Sequence, residues 1–585
     1  MGFYSEAHIC QCFSRLTTEK RNSVVTIRGD RQKTGHQLVE CVLSLARALL
    51  HLGLRNGDVV AISAFNSDTY LEWLLAVAFI GGIVAPLNYR WSFEEARMAM
   101  VTVTPKMLAT DESCYDWHSA LQSHAIPSLR WHISLSSPSS DFINKYKILT
   151  MEMLLEQSVR SGSMNYSCAP EGAVVICFTS GTTGKPKGVV ISHTALIVQS
   201  LAKVAIVGYS EDDVRLSSRN MYICFDCNFK DLIEEVYLHT APLCHIGGLS
   251  SAMAMLMIGA CHVFIPKFEA RLALEALEQH HVTSLITVPA IMADLISLIR
   301  PKRSWKGRDS VKKILNGGGG LSYDLVKDVI KFFPRAKLLS AYGMTETCSS
   351  LAFTTLFEPM LEASGTSLQL FSKSNPSPVK PGGVCVGKPA PHVDLKICFD
   401  DCSDVGRILT RGPHVMLRYW DQIPENASGS IEEAWLDTGD IGFIDDHGNL
   451  WLVGRTNGRI KSGGENVYPE EVEAVLDQHP GVISSIVVGI PDPRLTEMVV
   501  ACIRLRDNWQ WSNNSSKFSV QSNELFLSSE ILRHYCRERN LSRFKIPKIF
   551  ILWKTPFPLT TTGKIRRDQV RRDVMSQLQS SPSKL

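Results

Sequence analysis

Apolar residues recur along this chain with two different spacings. Residues 24–27 (Val-Val-Thr-Ile) are a short apolar run, whereas residues 38–52 repeat apolar positions every three or four residues. The first pattern predicts a strand and the second an amphipathic helix. Residues 57–62 read as turn then strand, 68–80 as helix and 83–85 as strand. Residues 111–170 repeat the mixture less clearly. The alternation resumes after residue 193. Helices are predicted over 193–207, 272–280 and 289–299, and strand-like runs over 236–243, 282–288, 314–316 and 337–341. The last two strands end in Gly317-Gly-Gly-Gly320 and in Tyr342-Gly-Met-Thr345-Glu346. Strands alternating with helices predict parallel sheets covered by helices, and turns at strand ends suit ligands in such sheets. Short strands with turn residues follow through Leu452. A polar stretch over 454–462 marks a domain boundary. Beyond it, Pro469 opens a helix, strands are expected at 483–490 and 499–505, and a helix at 528–539.

The fold class expected is therefore α/β. A large N-terminal domain of α/β subdomains, with sheets covered by helices, spans 1–456. A hinge follows at 457–462, then a small mobile C-terminal α+β domain at 463–575 and a tail at 576–585. Three stretches resist this reading. Residues 358–383 and 507–522 are polar and read as loops. Residues 215–235 (RLSSRNMYICFDCNFKDLIEE) have no period and read as an insertion, with a translated intron and a real surface loop both left open.

Composition narrows the partners. Apolar residues make up 45% of the chain, enough for a sizeable core, and a net charge of +3 is too small to suggest nucleic acid. The longest apolar stretch, 74–87, contains Gly81, Gly82 and Pro86 and falls short of a bilayer span, so no membrane span is expected. Sixteen cysteines lack a framework spacing, which predicts free thiols in a reducing compartment. Cys224 and Cys227 form a lone C-x-x-C without a second pair, so no zinc is expected there. The chain ends in Ser583-Lys584-Leu585, an address read by the peroxisomal import receptor. Peroxisomal localisation follows, with a chloroplast-targeted alternative form left open.

The densest chemistry lies at 179–188, TSGTTGKPKG. Ten residues hold three glycines, four hydroxyls and two lysines, between the apolar runs 173–178 and 189–191. Glycines let the backbone approach a ligand, and successive N–H groups form anion-binding concavities. The expected guest is a phosphate chain. The stretch is not a Walker A loop, because Gly181 and Gly184 are too close and Pro186 follows Lys185. A second Gly-containing turn, 242–248, carries one histidine, His245.

Five segments together resemble the adenylate-forming acyl-CoA ligase superfamily. TSGTTGKPKG resembles its phosphate loop and AYGMTE (341–346) its adenine and α-phosphate turn. WLDTGD (435–440) resembles its ribose segment and GRTNGRIKSGGENVYPEEVE (454–473) its hinge. PLTTTGKI (558–565) resembles the turn that carries its catalytic lysine. The likeness covers almost the whole chain except 1–20, 214–236 and the tail. YGMTETCSS and the hinge segment are most similar to the plant o-succinylbenzoate–CoA ligases of phylloquinone synthesis.

The resemblance implies ATP, Mg²⁺ and CoA acting on a small-molecule carboxylate. Thr179, Ser180, Gly181, Thr182, Thr183, Gly184, Lys185 and Lys187 would hold the β- and γ-phosphates. Tyr342, beside Gly318 and Gly319, would lie at adenine. Thr345 would bond the α-phosphate and Glu346 would hold the metal. Asp440 and Arg455 would take the ribose hydroxyls. Lys564 would bridge substrate carboxylate and α-phosphate. Lys461, Gly463 and Gly464 would line the pantetheine path, and His245 would gate the acyl pocket. Many relatives carry Asp or Lys where this chain has Gly458, which leaves the pivot in doubt. Ligases of 4-coumarate, benzoate or fatty acids, and a catalytically silent nucleotide-binding homologue, remain alternatives.

Overall fold

The apolar repeat after residue 38 becomes the helix Gly35–His51. Thr34 caps it in a reciprocal box with Gln37, a device worth about 1 kcal/mol. The helix buries Leu38, Val42, Leu45 and Leu49 in the same core as the helix Asp68–Phe79, all of whose residues are buried. That second helix runs into the buried strand Ile83–Pro86, which accounts for the long apolar stretch at 74–87 without a membrane. No described helix is long and apolar enough to cross a bilayer.

This computed structural model describes residues 7–156, 165–180, 186–209, 235–302, 304–359, 384–399, 405–422, 435–455, 458–512, 525–558 and 565–579. Three main sheets organise them. In the eight-stranded sheet, Val59–Ser63 lies parallel between Ile83–Pro86 and Met107–Thr110. Its hairpin Ala173–Ser180/Pro186–Ser192 frames the glycine-rich loop, with Phe178 opposite Gly188 and Thr179 opposite Lys187. In the thirteen-stranded sheet, Val236–His239, Ser284–Thr287, Lys313–Asn316 and Lys337–Met344 run parallel. The last of these turns back into Ser349–Phe357. Adjacent parallel strands thus deliver Gly317–Gly320 and Thr345-Glu346 side by side at their carboxyl ends, where open α/β sheets bind ligands.

A five-stranded sheet forms the core of a smaller lobe. Thr496–Leu505 pairs with Val482–Asp492, with Ile549–Leu552 and with Ile460–Ser462. Leu450–Arg455 still belongs to the large lobe's sheet. The link between the lobes' sheets therefore spans only 456–459, because Ile460–Ser462 is already strand.

Two loop expectations need correction. Trp509–Trp511 is a strand paired with Leu525–Leu527, not loop, and the rest of that polar stretch lies outside the described residues. Glu235, read as part of an irregular insertion, is a core residue. Its carboxylate pairs with Lys313 at 2.9 Å and accepts from Thr283, both buried. The remainder of that segment, with Cys224 and Cys227, lies outside the described residues, as do 360–383 and the C-terminal tripeptide. The thirteen described cysteines are free thiols.

Candidate active site

The AYGMTE segment is shaped by a close backbone approach. A Cβ at Gly343 would overlap the Ser349 carbonyl, so only glycine lets the strand bend into the Thr345–Thr347 turn here. That bend buries Glu346. Its Oε1 accepts from the Tyr419 hydroxyl at 3.1 Å, while its Oε2 has no hydrogen-bond partner among the described residues. Burial and the Glu346 charge together push the Tyr419 phenol well above its usual range, which keeps it a donor. Lys187 lies over the Tyr419 ring, 5.3 Å from its centre. A cation from the glycine-rich hairpin and a carboxylate with a bare oxygen thus share one aromatic ring. Such a carboxylate suits a hard cation with oxygen ligands.

On the other side of the same strand, Tyr342 donates its hydroxyl to Asp440 at 2.6 Å. Asp440 is buried and sits across the sheet ladder from Arg455. Tyr342 and Asp440 face a cleft of about 910 Å³ between the lobes, which also takes in Gly318, Gly319 and Gly458. Gly458 has φ +46° with nothing within 4 Å of an added Cβ.

Thr179, Gly318, Thr345 and His245 line a second cavity of about 360 Å³. Trp91, Phe178 and Phe268 make part of its wall apolar. The smaller lobe closes it with Lys461, Gly463, Gly464 and Glu465. Gly463 and Gly464 have φ of +61° and +86°. A Cβ on Gly318 would come 3.6 Å from the Gly464 Cα, so the lobes meet glycine to glycine.

One residue at this seam was not singled out by its motif. Glu465 is buried, and its Oε1 meets His245 Nε2 at 3.1 Å, Asn88 Nδ2 at 3.2 Å and Arg90 Nη1 at 3.2 Å. Burial alone would raise its pKa; His245, Arg90 and Asn88 outweigh that and hold it at about 2. Arg459 was also missed. It borders both spaces, and Tyr468, Asp440 and Glu346 sustain its charge against burial. The partners of Glu465 lie 220 to 377 residues away in the chain, so no local pattern could have named them.

Thr179, Gly318, Gly319, Tyr342, Thr345, Asp440, Lys461, Gly463, Gly464 and His245 therefore line the two spaces, while Lys187 and Glu346 meet at Tyr419. Gly181, Thr182, Thr183, Gly184, Lys185 and Lys564 lie outside the described residues, as do the side chains of Ser180 and Arg455. The arrangement can hold a polyphosphate nucleotide beside a half-apolar cavity entered past two glycines.

Comparison with known proteins agrees with this geometry. Residues 13–420 match the AMP-binding enzyme family and residues 471–564 the AMP-binding enzyme C-terminal domain. The chain is 55% identical to the chloroplastic/peroxisomal 2-succinylbenzoate–CoA ligase of Arabidopsis thaliana, covering all of both chains. It is 30% identical to the indoleacetate–CoA ligase of Aromatoleum aromaticum, covering 93% of each. Among solved structures it resembles the amide bond synthetase McbA of Marinactinospora thermotolerans. That match has TM-score 0.73 and 25% identity over 96% of this chain and 99% of that one. An o-succinylbenzoate CoA synthetase of Bacillus subtilis matches in fold, with TM-score 0.70 and 23% identity over 96% and 98% of the two chains. With a family model spanning most of its length and a nucleotide site whose parts converge in space, this chain belongs to the AMP-binding enzymes of the adenylate-forming superfamily.

Proposed function

We propose that this chain is an ATP-dependent acid–thiol ligase that converts 2-succinylbenzoate to its CoA thioester through an acyl-adenylate, in phylloquinone biosynthesis. The observation that carries this reading is the 55% identity, without a break in coverage, to the plant ligase of that name. That relative's chloroplastic/peroxisomal designation and the Ser583-Lys584-Leu585 ending support a peroxisomal location reached through the import receptor. The division into 1–456, 457–462, 463–575 and a tail is carried forward as the working domain scheme.

In the first step the substrate carboxylate attacks the α-phosphorus of ATP. A carboxyl–phosphate bond forms, and the bond to pyrophosphate breaks. In the second, the CoA thiol attacks the activated carbonyl and AMP leaves with the bonding pair. A carboxylate alone has too poor a leaving group for thiol attack, so adenylation must come first. Both reactants of the first step are anions, and the protein's work is positioning and charge stabilisation. We assign Thr179–Lys187 to the β- and γ-phosphates, Thr345 to the α-phosphate, Tyr342 to adenine, and Asp440 with Arg455 to the ribose. Asp440, engaged by the Tyr342 hydroxyl, accepts from a hydroxyl through its second oxygen. Glu346, with its bare buried oxygen, would hold Mg²⁺. A bound Mg²⁺ would neutralise phosphate charge.

Lys564 is assigned to the first step. A charge pair at 4 Å is worth about 1 kcal/mol in water but about 4 kcal/mol at an effective dielectric of 20. A lysine brought into the closed site therefore gains several-fold over one left in solvent. Lys461, Gly463 and Gly464 are assigned to the thiol's path, His245 to the gate of the acyl pocket, and Gly458 to the pivot between the two steps.

One experiment tests the reading. The wild type and Lys564→Ala are incubated with ATP, Mg²⁺, CoA and a panel of 2-succinylbenzoate, 4-coumarate, benzoate, indoleacetate and a medium-chain fatty acid. Thioesters are identified by mass. The wild type is expected to form only the 2-succinylbenzoate thioester. Lys564→Ala is expected to form none from the free acid, yet to complete the second step from supplied acyl-adenylate. A different preferred acid overturns the substrate, and equal loss in both half-reactions overturns the role of Lys564.

A further inference from the structure

Lys203 ends the helix His193–Lys203 with no exposed surface. Its ammonium donates to Ser250 Oγ at 2.6 Å, Ser251 Oγ at 3.1 Å and the Gly247 carbonyl at 3.3 Å. All three belong to the first turns of the helix Ile246–Ile258, just after His245. No carboxylate pairs with it among the described residues. The charge is what needs explaining. Three hydrogen bonds could tether two helices through a neutral side chain, but a buried cation without a counter-ion is costly. Burial brings the Lys203 pKa down to about 7, against 10.5 ordinarily.

Its surroundings point inward to the cavity. Gly247 lines that cavity, and a Cβ added to it would meet nothing within 4 Å, so open space lies directly beside the carbonyl that Lys203 holds. The opposite wall is carried by the same helix. Gln199, one turn earlier, donates its amide to the Thr347 and Ser350 carbonyls at 2.9 and 2.8 Å, and Ser349 and Ser350 line the cavity. Cys348 acts electrostatically on Lys203, but burial keeps its thiol up at about 12, hence neutral. Four cations among the described residues line the cavity itself and are differently placed: Arg90 pairs with Glu465, Lys545 with Glu95 and Glu471, Arg459 lies in the field of Asp440 and Glu346, and Lys461 comes from the smaller lobe.

We propose that Lys203, through the Gly247–Ser251 turn, is the cationic recognition group for the second, non-reacting carboxylate of a dicarboxylic acyl substrate seated beside Gly247. This rests on the reading above that the substrate is 2-succinylbenzoate. Whichever of its two carboxylates is adenylated, the other must enter a half-apolar cavity, where an unpaired anion is as costly as an unpaired cation. The two deficits cancel when the guest arrives. The positive end of the Ile246–Ile258 helix adds to the attraction.

The test uses the full chain and the rate of pyrophosphate release. Two monocarboxylate references are 4-oxo-4-phenylbutanoate, which lacks the ring carboxylate, and 2-butanoylbenzoate, which lacks the chain carboxylate. The reference the wild type turns over faster is compared with 2-succinylbenzoate. Lys203→Met is expected to cut the ratio of kcat/KM, dicarboxylate over monocarboxylate, by about 100-fold. Lys203→Arg should keep most of the preference. Gly247→Asp should abolish it from the other side, since its carboxylate would stand in the open space where the substrate's second carboxylate is proposed to sit. Proportional loss on both acids in Lys203→Met, the mark of a purely structural tether, overturns the proposal. If that variant does not fold, an unchanged ratio in Gly247→Asp overturns it. A wild type that ignores 2-succinylbenzoate defeats the functional reading. A wild type that takes it with a preference independent of Lys203 defeats the Lys203 assignment alone.

Discussion

Buried charge is handled in opposite ways at the seam between the lobes and in the interior of the large lobe. At the seam, Glu465 meets His245 and Arg90, and Lys545 holds Glu95 at 2.6 Å and Glu471 at 2.7 Å. Ser542 of the small lobe also bonds Glu95, which already caps the helix Phe93–Val103 through Ser92. In the interior, among the described residues, Glu346 accepts from a neutral phenol and has one oxygen without a hydrogen bond, with the Arg459 charge in range, and Lys203 bonds serines and a carbonyl. Paired charge fixes how two bodies sit against each other. The difference divides residues that set geometry from those proposed to take substrate.

The largest test of that division is Glu346→Gln. Pyrophosphate exchange should fall about 10³-fold, in the range of lost transition-state electrostatics, with the unfolding midpoint almost unmoved. A large loss of stability with exchange intact would place Glu346 among the structural pairs instead. Next is Lys545→Met, which strands two carboxylates at the seam. Breaking a buried pair costs about 3–5 kcal/mol, but here the lobes can part and rehydrate Glu95 and Glu471. The cost should therefore fall on the closed arrangement. Thioester formation from supplied acyl-adenylate is expected to slow about 100-fold while pyrophosphate exchange holds. Equal slowing of both steps would mean that the seam is not specific to this arrangement.

Glu465→Gln should slow the same second step about tenfold, the loss of one charge-assisted contact set. Stopped-flow or quenched measurement of the thioester would show it, and a loss confined to adenylation would contradict it. The smallest effect belongs to Arg494→Ala. Arg494 grips Asp294 across the lobes with two bonds of 3.0 and 2.9 Å, yet the arginine is well exposed and the aspartate only half-buried. Surface pairs contribute about 0–1 kcal/mol, so either half-reaction should change by less than about threefold. A larger change would show that exposure is the wrong measure of a seam contact.

Much of the site was legible because its chemistry is local. The hairpin around TSGTTGKPKG announces itself by two apolar runs framing glycines, and the structure pairs those runs as strands. Helix Pro289–Ile299 begins and ends where its proline and apolar period place it. The misreadings also have local causes. Trp509-Gln-Trp511 alternates with the period of a strand, but the Asn-Asn-Ser-Ser that follows dominated the reading. Glu235 sat at the end of an aperiodic piece, and its partner Lys313 is 78 residues away.

What the amino-acid order determined by itself is the inventory: a bend rich in glycine, hydroxyls and lysine, strand ends with glycine turns, a hinge-like polar stretch and an α/β class. Each depends on backbone freedom and side-chain type within a few residues. Tertiary structure alone decided that Glu465 closes on His245, that Gly464 faces Gly318 and that Lys203 is buried against two serines and a carbonyl, with no carboxylate paired to it among the described residues. Two lobes joined across 456–459 can meet in more than one way. The choice rests on a sum of contacts between residues hundreds of positions apart, which no local propensity encodes.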